Sequence, residues 1–231
     1  MFDDASADLA LFATLRDKLF TAVVGDVLDR MGYRRQFLPQ PIQPIRQDMR
    51  IAGRAMTVVM ADVFDEVAAA SNGPLGRRPY GLMTDALDDL KPGEIYVATG
   101  GSFNYALWGE LLSTRATHLK AAGAVLNGYV RDVAGIEGLN FPTFCRGFYA
   151  QDAGPRGKVI DYRVPIEIEG VRINPGDLMF GDREGVLVIP RAVEREVIAA
   201  AVDKASKENQ VSKAIRDGMA ATEAFATFGV L

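Results

Sequence analysis

The chain has 231 residues, 48% of them hydrophobic and 24% charged, the balance of an ordinary soluble globule. Lys and Arg number 26 against 30 Asp and Glu, a formal charge of −4, which excludes the broad basic surface that phosphate-backbone binding requires and makes nucleic acid an unexpected partner. Cys145 is the single cysteine and His118 the single histidine, so neither an internal disulfide nor a Cys/His zinc site can be assembled. Any bound metal must therefore be a hard cation held by carboxylates and carbonyls, which points to Mg²⁺ or Mn²⁺.

Met1-Phe2-Asp3-Asp4 opens with acids where a signal peptide would carry a basic stretch and an apolar core. No run reaches the ~18 apolar residues of a membrane span, so a cytoplasmic location without a membrane partner is expected. From Leu9 to Gly32 the pattern is helical. Thr21 can cap a short helix whose Val23, Val27, Leu28 and Met31 share a face, and Gly32 supplies its stop. Leu38 to Pro44 holds three prolines and cannot be helix, whereas Ala55 to Met60 reads as a buried strand. Ser71 to Pro79, rich in Gly and Pro, is expected to be a mobile loop, with a short helix following over Tyr80 to Leu90.

The middle of the chain carries the most information. Ile95 to Ala98 is a strand, Glu110 to Ala122 a helix stopped by Gly123, and Ala124 to Leu126 a second strand. Strand, helix and strand at this spacing make a βαβ unit with parallel strands. The loops after both strands, Gly100 to Glu110 and Tyr129 to Asp132, should then face one crevice at the edge of the sheet where ligands of open α/β sheets bind. Short antiparallel or mixed strands follow: Val159 to Ile168, Val171 to Ile173, Asp177 to Phe180 and Gly185 to Ile189. Lys91-Pro92-Gly93-Glu94 and Asn174-Pro175-Gly176-Asp177 each suit a type II turn, which explains their likeness without a duplication. Arg191 onward is helical, interrupted at Gly218 and Gly229. With no repeat or linker, residues 1–231 read as one domain with N-terminal helices and a C-terminal helical extension.

Three features could carry chemistry. A helix starting at Gly109-Glu110-Leu111-Leu112 offers free N–H groups and a positive dipole end to an anion, although every helix has such a start and Glu110 offsetting the dipole is, taken alone, the better explanation. Arg131 can grip a carboxylate bidentately and Asp132 can ligate a hard cation, yet adjacent Arg and Asp also occur as a solvated pair; their place after a buried strand, at the expected ligand edge, brings the two readings level. Glu208 falls on one line with Val197, Ala201 and Ile215 if the last long helix is continuous, so it either reaches another subunit's crevice or stands in water on a bent helix. His118 reads as a surface or packing residue and Cys145 as a core filler. Neither a dinucleotide fingerprint nor a phosphate loop is present.

The run Gly100-Gly101-Ser102, Trp108-Gly109-Glu110-Leu111-Leu112-Ser113, Gly123-Ala124-Val125 and Gly128-Tyr129-Val130-Arg131-Asp132 resembles the RraA-like family. Thr21-Ala22-Val23-Val24-Gly25-Asp26-Val27-Leu28, Asn174-Pro175-Gly176-Asp177 and Asp182-Arg183-Glu184-Gly185-Val186 support the resemblance on either side. That family holds divalent-metal 4-hydroxy-4-methyl-2-oxoglutarate/4-carboxy-4-hydroxy-2-oxoadipate aldolases and regulators of ribonuclease E activity. The resemblance implies an α/β fold of the swivelling β/β/α type with a central parallel or mixed sheet, assembled as a homotrimer or homohexamer with sites between subunits. It implies that Arg131 binds substrate and stabilises enolate charge, that Asp132 ligates Mg²⁺ or Mn²⁺, and that Gly109 with the amides of Leu111 and Leu112 holds a pyruvyl carboxylate. Glu110 stands where related aldolases often have an aspartate that orders metal-bound water, and Glu208 matches an acid contributed by a neighbouring subunit. The activity implied is a class II pyruvate aldolase for small 2-oxo acids, with oxaloacetate decarboxylation. The alternatives are a protein-binding regulator of a ribonuclease, a Schiff-base aldolase using Lys91, Lys120 or Lys158, and a lyase for another 2-oxo acid whose choice is set by the Ser71 to Pro79 loop.

Overall fold

A computed structural model of the chain describes residues 2–64, 73–75 and 78–229, so much of the expected Ser71 to Pro79 loop lies outside the described residues. Helices α1 (Phe2–Lys18) and α2 (Thr21–Arg30) precede β1 (Gln43–Pro44), the long β2 (Ile51–Asp62), α3 (Met83–Asp88) and β3 (Glu94–Thr99). Then come β4 (Ala106–Trp108), α4 (Glu110–His118), β5 (Gly123–Leu126), β6 (Tyr129–Val130), α5 (Val133–Gly138), β7 (Thr143–Cys145) and β8 (Gly147–Phe148). The last part holds β9 (Gly157–Tyr162), β10 (Ile166–Ile168), β11 (Val171–Ile173), β12 (Leu178–Asp182), β13 (Gly185–Ile189), α6 (Glu194–Arg216) and α7 (Ala221–Phe228). None of the described helices is long and apolar enough to cross a membrane.

The main sheet runs in the order β1-β7-β5-β3-β2-β12-β13, with β9 paired to the far end of β2. Strands β2, β3, β5 and β7 are parallel, as the βαβ spacing requires, and Ile95 pairs with Gly123 in the β3–β5 register. Antiparallel pairs β2–β12 and β12–β13 complete the other half. The segment before β1 lies against β13, where Leu38 N–H donates to Val186 O at 2.8 Å and Val188 N–H to Gln36 O at 2.9 Å. One stretch of chain thus joins the two ends of the sheet, which is nearly closed.

Period-two alternation assigns the strand residues to two faces. Ile51, Ala55, Ile95, Val97, Val125, Phe144, Met179, Val186 and Val188 point inward and meet the β10–β11 hairpin through Ile166, Ile168, Val171 and Ile173. The alternate residues of the parallel strands, Met56, Tyr96, Ala98, Ala124 and Leu126, form an outer core with α3, α4 and α5. Those of the antiparallel half, Leu178, Phe180, Leu187 and Ile189, pack under α1, α2 and α6. Both faces are covered, so the strands read as unbroken apolar runs.

Several local readings are corrected. The N-terminal helical stretch is two helices parted at Leu19-Phe20, and Phe20, not Thr21, occupies the cap position of α2. Thr21 lies in the first turn, and its N–H and hydroxyl both donate to the Asp182 carboxylate at 2.8 Å. A carboxylate from β12 thus meets the positive end of the helix and satisfies an amide that a local cap would otherwise take. The α4 helix ends at His118 instead of Ala122 because Lys120 adopts the left-handed conformation (φ 62°). Ala121 N–H then donates to Ala116 O, closing a Schellman motif in which a lysine stands where glycine is usual. Gly32 and Gly218 end α2 and α6 in the same way, at the positions the sequence marks. The expected Val159 to Ile168 strand is split at Arg163 (φ 56°). Both Pro-Gly turns form, with Gly93 and Gly176 at positive φ and i+3 to i bonds of 3.1 Å.

Asp182→Ala leaves the Thr21 amide and hydroxyl and the Glu184 amide without their acceptor. It is expected to lower unfolding free energy by roughly 1–3 kcal/mol, read from urea denaturation midpoints, with Asp182→Asn losing less.

Candidate active site

The two loops that follow β3 and β5 do meet, through pairing absent from the sequence reading. Each contains a very short strand, and β4 and β6 pair in parallel, Ala106 opposite Tyr129 and Trp108 opposite Val130, with β8 on the far side of β6. Arg131 N–H donates to Trp108 O at 3.0 Å, so the residues after Trp108 and those after Val130 are held side by side. Trp108 anchors this small sheet. Its ring is buried against Tyr96 (centroids 4.7 Å apart) and stacked on Phe141, and its indole N–H donates to Ser113 Oγ at 2.6 Å. Ser113 Oγ in turn donates to Gly109 O, tying the indole to the first turn of α4.

Gly109 is the cap residue of α4, and no side chain caps the helix, which leaves the first-turn amides directed outward. Asp132 caps α5 in the left-handed conformation (φ 56°, ψ 38°), a strained state for any residue but glycine and one that aspartate tolerates better than most. A side chain at Gly109 would come within 2.8 Å of Asp132 Oδ2 and 3.3 Å of Arg131 Cγ. Glycine is therefore what lets the arginine–aspartate pair lie against the helix start. The Glu110 carboxyl similarly rests over Gly135 in the first turn of α5.

A cavity of about 260 Å³ opens beside this junction. Arg131, Leu111 and Leu112 line it, together with apolar side chains from α3 and β4 and with Asp152 from the loop after β8. Arg131 Nη1 lies 3.2 Å from Asp152 Oδ1 and its Nε lies 3.7 Å from Asp132 Oδ2, so the guanidinium is held between two carboxylates while remaining 38% exposed. Asp152 is absent from the sequence reading. Its one local signal is an Asp-x-Gly turn, in which Asp152 Oδ2 accepts from Gly154 N–H at 3.1 Å.

The loop entering the site is fastened by Asp62 at the end of β2, whose Oδ1 accepts from Ser102 N–H (2.9 Å) and Tyr105 hydroxyl (2.8 Å). Burial acts to raise this carboxyl's pKa, but the donated hydrogen bonds outweigh it and hold the group below its ordinary value.

Gly109, Glu110, Leu111, Leu112, Arg131 and Asp132 therefore come together, with Leu111 and Glu110 exposed. Glu208 does not join them within one chain. It lies on α6 over the antiparallel half, where the buried Lys204 bridges it to Asp26 of α2. The helix is continuous there, and Val197 and Ala201 are buried as expected, but Ile215 is exposed and the stripe ends at an ion pair. Burial acts to lower the Lys204 pKa, but its two carboxylates outweigh it and hold the ammonium charged. Lys91, Lys120 and Lys158 do not line the cavity. His118 is exposed at the end of α4. Cys145 is a buried core residue whose thiol is pushed up to about 11 by that burial.

Among the described residues no three Asp, Glu, His or Cys side chains converge as a metal cage. The donors at the junction still suit a hard cation of the Mg²⁺ class, which commonly keeps several waters and needs only one or two carboxylates with oxygens of the substrate. Asp132 offers such a group: its carboxylate is 48% exposed, and Arg131 meets it only at 3.7 Å.

The model of the RraA-like family, described as Aldolase/RraA, matches residues 21–188. The chain belongs to this family. A Halalkalibacterium halodurans protein named "Putative 4-hydroxy-4-methyl-2-oxoglutarate aldolase" is 31% identical over 206 residues, 89% of each chain. Protein DlpA of Legionella pneumophila is 32% identical over 86% of this chain, which spans only 30% of that relative's length. Among solved structures, an uncharacterised protein of Pseudomonas syringae pv. tomato superposes with a TM-score of 0.82 at 28% identity, covering 95% of this chain and 94% of that one. The RraA-like fold, a mixed α/β architecture around a mixed sheet, is thus shown by sequence and by shape.

Gly109→Ala should displace Asp132 and Arg131 without straining the backbone, since Gly109 is extended (φ −160°). Near-native thermal unfolding with at least about a tenfold loss of turnover is expected, as misplacement by about 1 Å can lose a hundredfold. Because the Asp62 carboxyl is depressed in the folded state, its stabilisation is present above the ordinary carboxylate pKa and is lost as pH falls through the lower folded value. Asp62→Asn should accordingly flatten part of the acid limb of stability below about pH 4, measured by denaturation as a function of pH.

Proposed function

We propose that this RraA-like protein is a metal-dependent carbon–carbon lyase, a class II pyruvate aldolase that splits 4-hydroxy-2-oxo acids and releases pyruvate. The observation that carries this reading is the convergence of an exposed guanidinium and the uncapped start of α4 on one cavity, with the open carboxylate of Asp132 beside that guanidinium. The name of the Halalkalibacterium halodurans relative supports the same reaction class. Lysines among the cavity's described lining residues would have favoured a Schiff base; there are none.

In this reading the outward amides at Leu111 and Leu112 hold the substrate carboxylate, with Gly109 giving room for close approach. Asp132 is the residue that would hold Mg²⁺ or Mn²⁺. When bound, that cation supplies Lewis-acid polarisation of the 2-oxo group. Arg131 donates to the 2-oxo oxygen, where negative charge develops as the C3–C4 bond breaks. The C4 hydroxyl loses its proton, C4 departs as a carbonyl, and the electron pair of the broken bond passes into the pyruvyl unit, which C3 reprotonation completes. Glu110 holds the water that exchanges these protons. Glu208 serves from a neighbouring copy in a homotrimer or homohexamer, since in its own chain it faces Lys204 and Asp26. The same centre would decarboxylate oxaloacetate, with carbon dioxide in place of the departing carbonyl compound.

Arg131→Ala should lower kcat by on the order of a hundredfold or more in a lactate-dehydrogenase-coupled pyruvate assay. EDTA should abolish the native activity, and Mg²⁺ or Mn²⁺ should restore it. Turnover that survives both treatments would refute the assignment.

A further inference from the structure

Arg131 and Asp132 are neighbours in the chain, and an arginine beside an aspartate has a ready way to be useless: it can close onto that aspartate. A guanidinium and a dication compete for the same carboxylate and repel each other, so an Arg131 that paired fully with Asp132 would shut out a metal ion. In this fold it does not pair fully. Arg131 Nε stands 3.7 Å from Asp132 Oδ2, beyond hydrogen-bond reach, while its Nη1 lies 3.2 Å from Asp152 Oδ1. The nearer carboxylate draws the guanidinium away from Asp132.

Asp152 is held in place by contacts that do not involve Arg131. Its Oδ2 accepts from Gly154 N–H at 3.1 Å and its carbonyl from Arg156 Nη1 at 3.1 Å. Gln151 O, one residue earlier, accepts from Ala106 N–H at 2.8 Å, which fastens the loop to β4. A side chain at Gly154 would come within 2.7 Å of Asp152 Oδ2 and 3.2 Å of the ring of Tyr80, so glycine there leaves room for the carboxylate, as Gly109 does for Asp132. Both members of the Arg131–Asp152 pair come from one chain, and the pair stands whatever a neighbouring copy adds to the site.

Resting on the aldolase reading, we infer that Asp152 is a positioning residue: its carboxylate holds the Arg131 guanidinium clear of Asp132 and so keeps Asp132 open to the cation. The pair is part exposed on both sides, so the effect is modest in energy and is read as a coupling between residues and not as a loss of rate.

The test is the Mn²⁺ affinity of the full chain without substrate, read from the electron paramagnetic resonance signal of the free ion. Asp152→Asn can keep the Gly154 bond through its amide oxygen while turning an uncharged N–H₂ toward Arg131, which releases the guanidinium to Asp132. The Mn²⁺ Kd should rise by roughly threefold to fivefold, the scale of an exposed ion pair. In the Arg131→Ala background, with no guanidinium to release, Asp152→Asn should leave the Kd within about twofold. Asp152→Ser, which retains an acceptor for the Gly154 amide but no charge, should repeat both results. A Kd raised equally in the two backgrounds means that Asp152 acts on the cation itself, and a Kd unchanged by either substitution means that it does not steer Arg131; each overturns the inference. Both leave the aldolase reading standing if the native protein releases pyruvate from oxaloacetate with Mn²⁺ and not with EDTA. Absence of Mn²⁺ binding by the native protein also overturns the inference, and absence of pyruvate overturns the aldolase reading with it.

Discussion

The candidate site depends on one short parallel pairing, the hydrogen bond from Arg131 N–H to Trp108 O and the β4–β6 register around it. Parallel strands β3 and β5 send their following loops to the same edge of the sheet, but that alone would leave two loops free to diverge. Pairing them into a second, smaller sheet fixes the guanidinium of Arg131 and the carboxylate of Asp132 against the start of α4. The buried Trp108 then supports the whole junction from below, held by Tyr96, Phe141 and Ser113. The residues proposed to act together thus follow directly from paired backbone, which limits how far they can move apart.

Glycine at 109 and strain at 132 are two sides of the same constraint. Bringing Asp132 to the cap of α5 requires left-handed backbone, and laying its carboxylate beside α4 requires that residue 109 have no Cβ. Neither feature improves the packing of the core. Local strain of this kind is retained where the surrounding structure over-determines it, and here the parallel pairing above and α5 below do so. Asp152 adds a second carboxylate to the same guanidinium, so the position of Arg131 is set from two directions.

Much of this was legible in the order of residues. Ile95 to Ala98 and Ala124 to Leu126 are apolar on both faces and flank a helix, which announces parallel strands, and the Pro-Gly pairs and the glycines at 32 and 218 mark their turns and helix ends by chemistry that acts locally. The pairing of β4 with β6 was not legible, because strands of three and two residues are too short to show alternation. Thr21 reads as a cap because threonine usually is one; its real acceptor, Asp182, lies 161 residues away and only the closed sheet brings it there. Lys120 hides a helix end because a left-handed lysine has no sequence signature. Asp152 belongs to the same class: nothing in a loop 20 residues beyond Asp132 connects it to Arg131 until β8 folds back beside β6.

The way the main sheet ends has its own consequence. Backbone groups of β13 are taken up by residues 36–38, and the same stretch continues into β1, which completes the opposite margin against β7. A sheet finished in this manner offers no ready template for strand addition by a stranger. Any strand pairing between copies is thereby left to the small β4-β6-β8 sheet and the β10–β11 hairpin, and the frame of the main sheet stays outside it.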